Sequence, residues 1–87
     1  MITIFKYPLT AVQQTISMPK DAVILHIELQ LDRPCIWAKV NTDLAPTLRK
    51  FVLVGTGHDM SKIDAQALYI GTFQTQQNFV FHVFELI

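Results

Sequence analysis

Eighty-seven residues, 51% of them hydrophobic, describe one small folded domain and exclude a disordered chain. Seven Lys and Arg against seven Asp and Glu leave a formal net charge of zero, which argues against a nucleic-acid binder with a basic footprint. The single cysteine, Cys35, excludes an intrachain disulfide framework and a cysteine-rich zinc site, and no apolar run approaches the ~18 residues of a membrane span.

In chain order the segments read mostly as strands. Ile2 to Tyr7 is β-branched and aromatic, and Pro8 stops it. No signal peptide is expected there, because no charged region leads into a long apolar stretch. Val12 to Met18 is a weaker strand closed by Pro19. Val23, Leu25, Ile27, Leu29 and Leu31 then alternate with Ile24, His26, Glu28 and Gln30, which predicts a strand with one wholly apolar face. Asp32-Arg33-Pro34 reads as the turn into a strand over Cys35 to Val40, and Asn41 to Pro46 as a loop.

Arg49 to Val54 returns to strand, and Gly55-Thr56-Gly57-His58-Asp59 breaks it. Met60 to Ala67 is the one stretch that resembles a helix: Ser61 precedes Asp64 by the capping-box spacing, and Ala65 and Ala67 favour helix. Leu68 to Phe73 is a strand, Gln74 to Asn78 a polar turn, and Phe79 to Leu86 a strongly apolar strand. The predicted fold is all-β and mainly antiparallel, a small sandwich or barrel of six to seven strands with one short helix near residues 60–67. Leu25, Ile27, Leu29, Phe51 and Phe81 are the predicted core. Neutral charge and surplus apolar surface in so small a body predict a homodimer or larger assembly.

Two of the three glycines, Gly55 and Gly57, stand two residues apart at a strand end. Such a loop can turn backbone N–H groups toward an anion, with Thr56 and His58 adding side-chain donors. Arg49 and Lys50 on the same strand would offer charge compensation if the fold brought them close, and Thr72 beside Gly71 a further hydroxyl. The stretch lacks the spacing of either Gly-rich nucleotide loop, so a tight turn needing two glycines remains the competing reading.

His26, His58 and His82 are too dispersed in sequence to suggest a metal site, and His26 and His82 read as ordinary sheet residues. Cys35 follows Pro34 with nothing beside it to activate a thiolate, and no paired carboxylates suggest acid–base hydrolysis. The expectation is a protein that is not an enzyme and carries no cofactor. The aromatics read as core or interface rather than as a stacking platform for bases.

The blocks Phe5-Lys6-Tyr7-Pro8-Leu9, Pro34-Cys35-Ile36-Trp37-Ala38-Lys39-Val40, Val54-Gly55-Thr56-Gly57-His58, Tyr69-Ile70-Gly71-Thr72-Phe73-Gln74 and Val80-Phe81-His82-Val83-Phe84-Glu85 together resemble a family of small bacteriophage and prophage proteins. The resemblance covers nearly the whole chain and brings context rather than an activity: a phage-encoded accessory protein of the host bacterial cytoplasm. Three expectations are compatible with it. One is a counter-defence binder that sequesters an anionic nucleotide-type small molecule at Gly55–His58. The others are an inhibitor of a host defence or metabolic protein and a minor virion component.

Overall fold

The computed structural model describes residues 1–87, of which strand makes up 64%, and the all-β class is established. The seven strands are β1 (Ile2–Pro8), β2 (Gln13–Pro19), β3 (Val23–Gln30), β4 (Arg33–Asn41), β5 (Pro46–Gly55), β6 (Ala67–Gln74) and β7 (Val80–Leu86). They form a three-stranded sheet, β1-β4-β3, and a four-stranded sheet, β2-β5-β7-β6, with every pairing antiparallel. Pro8 and Pro19 end β1 and β2, both edge strands, where the missing N–H interrupts no interior ladder.

The inward faces meet in one core, in which Met18, Ile36, Val40, Phe51 and Val83 are fully buried. The sheets approach most closely where β3 crosses β6. A Cβ on Gly71 would collide with Cγ2 of Ile27, so only glycine admits the Ile27 side chain there.

The apolar alternation of β3 is broken in the fold. A bulge between Ile24 and His26 shifts the register against β4, so that Ile24 pairs with Ala38 and Ile27 with Ile36 on the core side. Ile27 is buried and Ile24 and Leu29 pack against the core, whereas Leu25 is 49% exposed and belongs to the outer face. The predicted core position at Leu25 is therefore corrected, and Ile24 takes its place. Phe51 is buried and Phe81 packs against the core as expected.

The β3–β4 turn falls one residue earlier than the sequence suggests. Leu31 and Asp32 both have positive φ, 50° and 64°, the geometry of a two-residue type I′ hairpin. Leucine is a costly occupant of that conformation, by about 1–2 kcal/mol.

β5 and β6 run parallel with β7 between them, so residues 56–66 must cross the sheet to join them. This strap lies on the outer face, where Val52 and Val54 point away from the core yet are only 9% exposed. Met60 and Ile63 of the strap share with them the lining of a pocket of about 390 Å³. The predicted helix contracts to a single 3-10 turn over Asp64–Gln66. Its capping box fails because the Ser61 N–H and hydroxyl both donate to Asp59 Oδ1 (2.9 and 2.6 Å), and Ile63 stands at the start of the turn without a side-chain cap.

The two ends of the sandwich differ. At the end holding Ala22 and Leu86, Arg49 donates to Glu85 through Nε (2.6 Å) and Nη2 (2.7 Å) and through Nη1 to the Ala22 carbonyl, closing the interior with a bidentate ion pair. Glu85 is the one buried charged side chain, and its hydrogen bond holds the Arg49 guanidinium pKa above its ordinary value. The opposite end is open and apolar, with a pocket of about 340 Å³ lined by Leu9, Val12, Leu29, Leu53, Phe73 and Phe81 among others.

Candidate functional site

At the end of β5 the two glycines serve different purposes. The His58 N–H donates to the Gly55 carbonyl at 3.0 Å across a turn whose third residue, Gly57, has φ +88°, the requirement of a type II turn. Gly55 meets a packing need instead: a Cβ there would lie 2.9 Å from Cε1 of the His58 imidazole, which folds back over it. The Thr56 N–H donates to the Val80 carbonyl at 3.2 Å. Two of the N–H groups that the sequence offers to an anion are thus engaged within the fold, and the loop presents side chains and the Gly57 N–H.

Those side chains lead to a histidine on the outer face of the four-stranded sheet. The β5–β7–β6 register aligns Val54, His82 and Thr72 in one outward row. His82 Nδ1 lies 2.9 Å from Thr72 Oγ1 and His82 Nε2 lies 2.8 Å from Thr56 Oγ1. Tyr69 extends the chain, its hydroxyl 2.6 Å from Thr72 Oγ1, and Thr56 Oγ1 can donate onward to the Val80 carbonyl at 3.5 Å. One consistent proton order runs from Tyr69 O–H to Thr72, from Thr72 O–H to Nδ1, from Nε2–H to Thr56, and from Thr56 O–H to the carbonyl. Tyr69 is held from its other side by an edge-to-face contact with Phe84, ring centroids 5.7 Å apart.

The structure therefore joins Thr56 and Thr72, both singled out in the sequence, through a residue that sequence reading set aside. The signal for His82 was present in the turn: a hairpin centred on the polar Gln74–Asn78 run brings Thr72 and His82 face to face. Beside Thr56 lies a pocket of about 330 Å³ lined by Gly55, Thr56, His58, Asn78, Phe79 and Val80. His58 also borders the pocket beneath the strap, together with Lys62. Lys62 makes no ion pair within the chain. Sequence reading missed it because helix was expected there.

Arg49 and Lys50 are not brought to the loop. They sit along β5 from Gly55, ~16–20 Å away at the strand rise, and Arg49 is committed to Glu85 and Ala22. Their suggested charge compensation is corrected accordingly. His26 is on the other sheet, 3.5 Å from Glu28, and Cys35 is buried in β4 between Pro8 and Glu28. No group of three His, Cys, Asp or Glu side chains is arranged to hold a metal ion, and no helix is long and apolar enough to cross a membrane.

Fold and site together define a small two-sheet β domain bearing a hydroxyl–imidazole chain on the outer face of one sheet. The chain belongs to the family described as a domain of unknown function, DUF7352, whose model matches residues 1–87. No curated protein and no solved structure matches it.

Proposed function

We propose that the domain is a non-enzymatic binder of a small anionic molecule, held at the Thr56–His58 edge of the four-stranded sheet. One observation carries the reading: the Thr56 hydroxyl is oriented by His82 at the mouth of a pocket that also presents the His58 ring, with Lys62 nearby. The Thr56 O–H can turn to a ligand from its long 3.5 Å contact with the Val80 carbonyl, and with the His58 ring and the cation Lys62 it makes a set suited to a phosphate or carboxylate and poor for a metal. Asp59, the carboxylate closest in sequence, has Oδ1 occupied by Ser61. Thr72 and Tyr69 act behind His82 as positioning residues.

The resemblance to phage and prophage proteins extends this reading to a counter-defence role in a bacterial cytoplasm, with a nucleotide-type signal as the sequestered molecule. A second reading, inhibition of a host protein, is favoured by one surface: Ile2, Ile4, Val23 and Leu25 on the three-stranded sheet are 70, 57, 48 and 49% exposed.

Isothermal titration calorimetry with inorganic phosphate and with a nucleoside monophosphate tests the first reading. His82→Ala and His58→Ala are each expected to weaken binding by about 1–3 kcal/mol, with His58→Ala changing folding stability by no more than about 0.5 kcal/mol. Absence of binding by the unaltered protein, or binding by both variants as tight as that of the unaltered protein, rejects it.

A further inference from the structure

The open end of the sandwich holds two features that no contact within the chain satisfies. Leu31 is 98% exposed at the tip of the β3–β4 hairpin, in a backbone conformation that leucine disfavours. Next to it lies the apolar end pocket, whose rim includes Asp32 and whose wall includes Val12, itself 70% exposed. A projecting apolar side chain and an apolar hole are therefore neighbours on one surface. Beside them, Asp32 and Arg33 carry opposite charges and neither forms an ion pair within the chain.

We infer that this end is a two-fold interface with a second copy of the same chain, in which Leu31 of each copy enters the end pocket of the other. Two-fold symmetry requires a self-complementary patch, with projection and hole on either side of the axis, and that condition is met here. The same operation sets Asp32 of one copy against Arg33 of the other, twice, at the rim of the contact. Zero net charge removes long-range repulsion between copies. The chain exposes 5791 Å², of which an interface of standard size would cover ~800 Å² on each partner.

Sedimentation equilibrium across a micromolar concentration series tests this, with the full chain. The unaltered protein is expected at twice 9.9 kDa. Leu31→Asn is the informative variant, because asparagine suits the positive-φ turn and removes only the projecting side chain; its dimer dissociation constant is expected to rise at least ~100-fold while its melting temperature as a monomer holds or increases. Asp32→Arg alone is expected to weaken the dimer by like-charge contact with Arg33 of the partner, and Asp32→Arg combined with Arg33→Asp to restore it. A monomeric unaltered protein overturns the inference, including one whose end pocket instead takes up anilinonaphthalene sulfonate, which would assign the pocket to a small apolar ligand. A dimer whose mass is indifferent to the Leu31 and Asp32 variants also overturns it, placing the contact on another face.

Discussion

Gly71 and Gly55 hold their places for reasons of space, whereas Gly57 holds its place for backbone conformation. The distinction has measurable consequences. Gly71→Ala drives a methyl group into Ile27 at the point where the two sheets come closest, and is expected to cost about 1–3 kcal/mol in urea denaturation. Because the clash is with one side chain, Ile27→Ala is expected to cost less in that background than in the unaltered protein, a coupling that a double-mutant cycle measures directly. His82 shows the same dependence on neighbours. Its chemistry comes from two threonines that are distant in sequence: strand register sets Thr72 opposite it, and the turn after β5 brings Thr56.

Among the elements, β3 and the strap show where sequence suffices and where it fails. Composition, proline stops and alternation made all seven strands legible, because burying one face of a strand leaves a period-2 signature. Alternation carries no mark of a bulge, however, since Ile24 and Leu25 are equally apolar and either could occupy the core. Leu25→Ala is accordingly expected to cost under about 1 kcal/mol, and Ile27→Ala about 2–5 kcal/mol, by chemical denaturation. The strap failed for another reason: Asp59 captures Ser61 before it can cap a helix. The glycine pair was legible as a turn and singled out as a candidate site, but Lys62 was not, because crossing the sheet brings it to the same pocket as His58.

The same Asp59–Ser61 contact gives the strap a pH dependence. The hydrogen bonds from the Ser61 hydroxyl and N–H lower the Asp59 pKa below the ordinary 3.8. A depressed carboxylate pKa stabilises the folded form above that ordinary value, and the contribution is lost as pH falls through the folded-state pKa. The Ser61 amide resonance followed by NMR is expected to titrate with a midpoint below 3.8, moving upward in Ser61→Ala when read at the Asp59 carboxyl.

For the whole molecule, the governing facts are a flat shape and a chain that crosses between the two sheets three times, after β1, β2 and β4. The extents are 40 × 31 × 17 Å and the radius of gyration is 13.2 Å, against about 12 Å for a compact domain of this length. β1 and β2 lie in different sheets, and each pairs with a strand far along the chain, Ile2 with Asn41 and Gln13 with Val52. Loop closure must precede most of the stabilising contacts, so folding is expected on the millisecond-to-second scale of all-β domains. Stopped-flow fluorescence of the single tryptophan, Trp37, reads it directly.

The crossing strap also makes the molecule divisible. Residues 56–66 take part in no strand ladder; their backbone bonds are turns and two ties, Thr56 N–H to the Val80 carbonyl and the Gln66 carbonyl to the Ile87 N–H. A tryptic cut after the exposed Lys62 would sever the covalent path between β5 and β6 yet leave every strand pairing in place, with β7 still bonded to β5. The domain is in that sense two interlocking pieces, a five-stranded body and a detachable hairpin that carries Tyr69, Thr72 and His82. Thr56 stays on the body. Reassembly of the pieces would then be reported by the formation of the His82–Thr56 hydrogen bond itself.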